Sequence, residues 1–149
     1  MANTSVLLVE DNDDDAELTM RAFRKHNVAN VVHRAADGQQ ALDFLFGSNE
    51  PPALVLLDLK LPLVDGLDVL RRMRDDERTR FLPVVVLTSS SEERDIVESY
   101  RLGANSYVRK PVDFDQFLEA ARQLGLYWIV LNKRVADPAT PAAAMTGGS

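Results

Sequence analysis

The sequence predicts an α/β fold, a doubly wound five-stranded parallel sheet with five helices. Short apolar runs rich in valine and leucine recur along the chain without alternating with polar residues, which is typical of strands buried on both faces. Between these runs, apolar residues recur at helical spacing. Because crossovers between parallel strands are right-handed and use a helix, this alternation favours a parallel sheet with helices on both faces.

Five segments have the composition of strands, and turn or breaker residues separate them. Pro51-Pro52 interrupts the chain before the third segment, and Pro83 opens the fourth. Three of the five segments are apolar throughout, as expected for central strands of such a sheet. The predicted strands are residues 6–9, 31–34, 54–57, 84–87 and 106–109.

A helical stripe of apolar residues follows each predicted strand. Acidic residues after the first strand suit the positive end of a helix dipole. Ser89-Ser90-Ser91-Glu92 is a capping sequence before the fourth helix, and Gly103 ends that helix. The stripes are Leu18, Ala22 and Phe23; Ala41, Leu42, Leu45 and Phe46; Leu67, Leu70 and Met73; Ile96, Val97, Tyr100 and Leu102; and Phe114, Phe117, Leu118, Ala121, Leu124, Trp128 and Leu131 in one long last helix.

Composition restricts the class of protein. The chain has 149 residues, no cysteine and a formal net charge of -6. The absence of cysteine excludes disulfides, thiolate zinc sites and cysteine nucleophiles, and the acidic balance argues against non-specific nucleic-acid binding. With no secretory signal and no apolar run near the roughly 20 residues of a membrane span, we expect a cytoplasmic protein. Residues 1–135 are predicted to form one domain and 136–149 a disordered tail.

The acidity is concentrated in one segment. Residues 10–17 hold six of the 23 acidic residues and no Lys or Arg, so the rest of the chain has 17 acidic residues against 17 Lys plus Arg. We interpret most of the acids after Asp11 as solvated side chains that complement the helix dipole.

Polar side chains follow four of the predicted strands. Glu10 and Asp11 come after the first strand, Asp58 after the third, Thr88 after the fourth and Lys110 after the fifth. Sites in doubly wound sheets form beyond the carboxyl ends of the strands, so these groups are expected to meet. Clustered carboxylates without His or Cys indicate a hard cation such as Mg²⁺. A carboxylate there can also act as a nucleophile toward phosphorus.

The ordered set of motifs resembles the receiver domain of two-component response regulators. The resemblance covers about residues 5–124 and implies a flavodoxin-like receiver fold. It rests on Glu10-Asp11, the segment from Asp58 to Pro62 with Asp65-Gly66, Thr88-Ser89, Tyr107 and Lys110-Pro111. Finer details resemble the single-domain regulators paired with phytochrome-type histidine kinases, namely Glu10-Asp11-Asn12 with the acidic run after it, residues 107–112 and Tyr127-Trp128.

The resemblance implies a role for each matching residue. Asp58 would accept a phosphoryl group from a kinase phosphohistidine, and Lys110, before an expected cis Pro111, would contact that group. Thr88 and Tyr107 would act as the switch. Mg²⁺ would be held by Asp11, Asp58 and the Lys60 carbonyl, with Glu10 acting through a metal-bound water.

Two positions depart from the family pattern. Glu10 stands where the family often has Asp, which predicts slower or weaker effects rather than loss. Lys60 places a cation two residues after the acceptor, where its side chain could shield the phosphoryl group from water, so the phosphoryl lifetime is left open.

The end of the chain suggests a homodimer. Tyr127, Trp128 and Leu131 are large apolar residues, and the predicted interface joins them to helix four, strand five and helix five. The alternative is a longer helix packed on its own core.

Other functions remain as alternatives. An aspartate-nucleophile phosphatase usually has a second Asp where this chain has Lys60. A flavin-binding domain would place a phosphate where Glu10 and Asp11 would repel it. A receiver that acts only as a docking module would not need the full set of acids, Thr88 and Lys110. We therefore predict a phosphoacceptor switch rather than an enzyme.

Overall fold

The computed structural model describes residues 5–26, 31–89, 93–110 and 113–125, without the side chains of residues 88, 93 and 94. Five strands alternate with five helices in this part of the chain. In chain order they are β1 (Val6–Val9), α1 (Asp13–Lys25), β2 (Val32–Ala35), α2 (Gly38–Phe46), β3 (Leu54–Asp58), α3 (Gly66–Asp75), β4 (Val84–Thr88), α4 (Glu93–Arg101), β5 (Ser106–Arg109) and α5 (Phe114–Gln123).

All neighbouring strands pair in parallel, in the order β2-β1-β3-β4-β5. The predicted α/β class and the five-stranded parallel sheet are therefore confirmed. The strand order reverses between β1 and β3, which is where a doubly wound sheet opens a crevice at the carboxyl ends of its strands.

The core lies in two layers, one on each face of the sheet. Phe23 of α1 and Phe117 of α5 pack on one face, with ring centroids 5.0 Å apart. Leu42 of α2 and Met73 of α3 pack on the other. Alternate residues of the central strands enter the two layers, so β1, β3 and β4 are buried on both sides as their apolar composition predicts.

Several predicted details differ from the structure. β2 begins and ends one residue later than predicted. Three residues of the predicted apolar stripes, Leu18, Val97 and Tyr100, are about half exposed, because each lies on the solvent side of its helix.

The last helix is shorter than predicted. α5 ends at Gln123, Leu124 is its C-cap, and Gly125 adopts a left-handed backbone with φ 73°. A glycine in this conformation commonly terminates a helix. Tyr127, Trp128, Leu131 and the predicted tail lie outside the described residues, so the domain boundaries remain predictions. None of the helices in the described ranges has the length and apolar character needed to cross a membrane.

Candidate functional site

The structure brings three predicted carboxylates together at the carboxyl edge of the sheet. Glu10 directly follows β1, and Asp58 is the last residue of the neighbouring strand β3; both side chains are buried. Asp11 is exposed beside them. One carboxylate oxygen from each residue lies within 4.8 Å of the others. The convergence predicted from the strand ends is therefore present.

Lys110, which follows β5, supplies the positive charge of the cluster. Its Nζ lies 2.9 and 3.1 Å from the two carboxylate oxygens of Glu10, 2.9 Å from Oδ2 of Asp58 and 3.0 Å from Oδ2 of Asp15. Burial alone would lower the pKa of Lys110, but the hydrogen bonds to Asp58, Glu10 and Asp15 outweigh burial and raise the pKa. The ammonium is therefore charged, and it links the end of β1, the end of β3 and the first turn of α1.

Burial dominates the electrostatics of Glu10. The pKa of this carboxyl is raised to about 7: burial and the neighbouring Asp58 raise it, and together they outweigh the hydrogen bonds from Lys110 and the Asn12 N–H, which lower it. Two buried carboxylates with a third one nearby share one ammonium, so the cluster has an excess of acid. A bound cation is the usual way for such a group to remain ionised.

The backbone around Asp58 is held tightly. The Lys60 backbone N–H donates to Oδ1 of Asp58 at 3.0 Å, which fixes the carboxylate orientation. Gly66, at the start of α3, donates its N–H to the Leu59 carbonyl at 3.2 Å. A Cβ at Gly66 would lie 2.7 Å from the Leu59 Cα and in still closer contact with the Asp58 carbonyl. Only glycine allows α3 to begin this close to the acceptor.

The side chain of Lys60 is largely exposed but forms an ion pair. Its Nζ lies 3.5 Å from Oδ2 of Asp95 on α4. This ion pair links the loop after β3 to α4.

The loop between β1 and α1 is fixed by local hydrogen bonds. The Asn12 N–H donates to Oε2 of Glu10 at 3.2 Å, and Oδ1 of Asn12 accepts from the Asp15 N–H at 2.9 Å as the N-cap of α1. Asn12 therefore ties the end of β1 to the first turn of α1.

Two contacts at the site were not predicted from the sequence. Asp15 was interpreted as a solvated acid of the first helical turn, yet it binds Lys110. Arg34, near the end of β2, was not considered; it donates to the Glu10 carbonyl from Nε at 3.1 Å and from Nη2 at 2.8 Å. Both contacts depend on side-chain direction, which apolar spacing does not report.

The predicted switch residues are only partly described. Thr88 ends β4 and pairs with Arg109 of β5, but its side chain lies outside the description. Tyr107 is half buried, and its ring meets the Tyr100 ring edge-on at 6.3 Å. Pro111 lies outside the described residues. Their switch roles, and metal binding by the Lys60 carbonyl, remain predictions.

The donor set fits the divalent metal that the sequence suggests. In the described part of the chain, the clustered side chains that could ligate an ion are the carboxylates of Glu10, Asp11 and Asp58, and oxygen-only sites suit Mg²⁺ or Mn²⁺. Neither histidine of the chain belongs to this group: His33 is exposed, and His26 is stacked on the Phe114 ring.

Comparison with known proteins agrees with this geometry. Residues 6–122 match the family described as the response regulator receiver domain. The chain is 40% identical to FilR2 of Methanothrix harundinacea, described as a probable methanogenesis regulatory protein, over 86% of this chain and 85% of that relative.

Two solved structures are also similar. One is the bacteriophytochrome response regulator AtBRR, with a TM-score of 0.78 and 50% identity over 86% of this chain and 96% of that one. The other is the Mn²⁺-bound form of the response regulator Rcp1, a protein of Synechocystis, with a TM-score of 0.70 and 30% identity over 85% of this chain and 94% of that one.

Proposed function

The chain belongs to the response regulator receiver family, and from this membership we propose that it is the phosphoacceptor of a two-component pathway, with Asp58 as the acceptor. Receiver domains are phosphoacceptor switches that partner with histidine kinases, and they are generally not classed as enzymes. One observation carries the assignment to Asp58: this buried carboxylate is held by the Lys60 N–H and the Lys110 ammonium within a cluster of acids.

The proposed reaction is an in-line transfer to a carboxylate oxygen of Asp58. A new O–P bond forms as the P–N bond of the kinase phosphohistidine breaks, and the electron pair leaves on the imidazole nitrogen, which is then protonated. Lys110 stands 2.9 Å from Asp58, where its charge offsets the charge of the incoming phosphoryl oxygens. Thr88 and Tyr107 are the proposed switch residues.

Receiver domains bind Mg²⁺ or Mn²⁺ at an acidic pocket, and we assign Asp11, Asp58 and the Lys60 carbonyl as direct ligands, with Glu10 acting through a water. When bound, the ion neutralises phosphoryl oxygens and the acidic cluster. Glu10 stays anchored by Lys110 and by the Asn12 N–H, so it can hold a water without moving its backbone.

The proposed upstream partner is a phytochrome-type histidine kinase. Support comes from the likeness to AtBRR, which is described as a bacteriophytochrome response regulator. Transfer from a phosphorylated phytochrome-type kinase should be faster than transfer from an unrelated histidine kinase under equal conditions. Equal rates from the two kinases would contradict this pairing.

The output is proposed to leave through a homodimer that uses α4, β5, α5 and the segment with Tyr127, Trp128 and Leu131. Half-exposed Val97 and Tyr100 on α4 support an interface there. Sedimentation of the full chain should give a dimer, and truncation after Gly125 should give a monomer. A monomeric mass for both would refute the proposal.

Incubation with Mg²⁺ and acetyl phosphate, followed by intact mass, tests the acceptor. We expect a phosphate-sized gain that is stable in acid, labile in alkali and absent in Asp58→Asn. The matched control is Asp43→Asn on α2, which should still gain the phosphate. An adduct that persists in Asp58→Asn would refute the assignment.

A further inference from the structure

Arg34 joins the two ends of the loop that carries Asp11. Its Nε and Nη2 both donate to the Glu10 carbonyl, at 3.1 and 2.8 Å, and its Nη1 lies 2.8 Å from Oδ1 of Asp13. Glu10 is the first residue after β1, and Asp13 is the first residue of α1. One guanidinium therefore spans the loop from strand to helix.

Asp11 depends on this loop for its position. Among the described residues, none donates a hydrogen bond to the Asp11 carboxylate, which is exposed at the surface. Glu10 is different, because Lys110 and the Asn12 N–H hold its carboxylate directly, and its own N–H donates to the Ala35 carbonyl at 3.0 Å. The backbone on either side is what places the Asp11 oxygens beside Asp58.

We propose that Arg34 is a positioning residue for the divalent metal: it fixes the β1–α1 loop so that the Asp11 carboxylate is preorganised for the ion. The inference rests on the proposed function, since it assumes that Asp11 is a metal ligand. The side chain is only a quarter exposed and makes three bonds in a planar fork. An ammonium cannot reproduce that fork, because it is a compact point charge on a flexible stem.

The charge of Arg34 and the hydrogen bonds that it makes have opposite effects on metal affinity: the charge weakens metal binding, and the hydrogen bonds strengthen it. A cation next to a metal site repels the metal, so removing the charge alone would tighten binding. Loss of the fork releases the loop and weakens binding. The sign of the change therefore separates positioning from simple electrostatics.

The test is an NMR titration of the full chain with MgCl₂ at constant ionic strength, following the amide signals of residues 10–13. We expect Arg34→Lys and Arg34→Ala to weaken Mg²⁺ binding by about tenfold or more, the usual range for residues that orient metal ligands. Arg21→Ala is the matched control: Arg21 is an exposed arginine paired with Glu17 on α1, and its loss should leave the affinity unchanged. The amide spectra also report whether each variant folds.

A second measurement separates positioning from general damage. In phosphorylation by acetyl phosphate, both variants should need more Mg²⁺ for half-maximal rate, while the rate at saturating Mg²⁺ stays near that of the parent chain. Unchanged or tighter Mg²⁺ binding in folded Arg34→Lys and Arg34→Ala, with weakened binding in Asp11→Asn, would overturn the role of Arg34. If Asp11→Asn bound Mg²⁺ as the parent chain does, the proposed metal site itself would be wrong.

Discussion

At the scale of single residues, the site is a balance of charges around one ammonium. Lys110 binds Glu10, Asp58 and Asp15, and only Asp15 is substantially exposed, at 39% of its side chain. Glu10 and Asp58 make three of the four contacts to the Lys110 Nζ, and Asp15 makes one. Asp15 adds negative charge where an anionic phosphodonor would approach, so we expect its loss to change the charge of the site more than its geometry.

Asp15→Asn should speed phosphorylation by acetyl phosphate at saturating Mg²⁺. The expected gain is about two- to fivefold, the equivalent of roughly 0.5–1 kcal/mol for one partly exposed charge. Asp14→Asn is the matched control, because Asp14 is an exposed acid in the same helical turn. A rate for Asp15→Asn equal to or below that of the control would refute this view.

The sequence was sufficient for some residues of the site and not for others. Asp58 and Lys110 could be predicted because parallel strands bring their carboxyl ends to one edge, so the position in the chain determines the position in space. Asp15 and Arg34 could not, because their contacts depend on the rotation of α1 and on side-chain rotamers. Asp15 and Lys110 lie 95 residues apart in the sequence, and only the folded structure brings their side chains together.

At the scale of elements, the start of α3 is tightly packed beside the acceptor. Gly66 lies against the Asp58 carbonyl and the Leu59 Cα, so any Cβ there must displace the loop that orients Asp58. The stripe of α3 predicted its buried residues Leu70 and Met73, but apolar spacing carries no information about so close an approach of backbone to backbone.

Gly66→Ala should lower stability and phosphorylation together. We expect a loss of about 1–3 kcal/mol in the free energy of unfolding, measured by urea denaturation, as for other overpacked sites. The control is Gly125→Ala, where no atom lies within 4 Å of the added Cβ but φ is 73°. That variant should lose about 1–2 kcal/mol through backbone strain and keep its phosphorylation rate. Equal phosphorylation in both variants would argue against the close packing at Gly66.

The Lys60–Asp95 ion pair connects the loop after β3 with α4. While Asp95 holds the ammonium, Lys60 is less available to a phosphoryl group on Asp58. Asp95→Asn should therefore lengthen the life of the phosphorylated form by about two- to threefold, the effect of roughly 0.5 kcal/mol for a partly exposed pair. The lifetime is measured by following the decay of the phosphorylated form by intact mass over time.

Two variants complete that test. Glu98→Gln, which breaks the pair with Arg101 on the same helix, should leave the lifetime unchanged. Lys60→Ala combined with Asp95→Asn should remove the gain. An unchanged lifetime in Asp95→Asn would mean that Lys60 does not reach the phosphoryl group.

The ends of the helices show which sequence signals were sufficient. The start of α1 was indicated by its acids, and Asn12 caps it in the structure. The end of α5 was misplaced because the apolar stripe continues through Leu124 and beyond, although Gly125 is a typical helix terminator. Apolar periodicity shows where a helix can be buried, whereas capping residues show where it ends.

At the scale of the whole molecule, the net charge of -6 is largely a local property of the carboxyl edge of the sheet, where residues 10–17 lie. Six acidic residues lie in residues 10–17. Lys110 contacts Glu10 and Asp15 of this segment, and Arg34 pairs with Asp13. Folding adds Asp58 to this segment by placing it beside Glu10 and Asp11, like charges that an unfolded chain would keep farther apart. Whatever neutralises the edge must favour the folded state.

Mg²⁺ should therefore stabilise the protein against heat. A ligand at 100 times its Kd adds about 2.7 kcal/mol, which for a chain of this size raises Tm by roughly 5–10 °C. Differential scanning calorimetry with MgCl₂, against NaCl of equal ionic strength, measures the specific part of this shift. The shift should disappear in Asp11→Asn and persist in Asp43→Asn, an acid of α2 that hydrogen-bonds Gln39 away from the site. An equal shift with NaCl would show general screening, and an equal shift in Asp11→Asn would move the metal away from this edge.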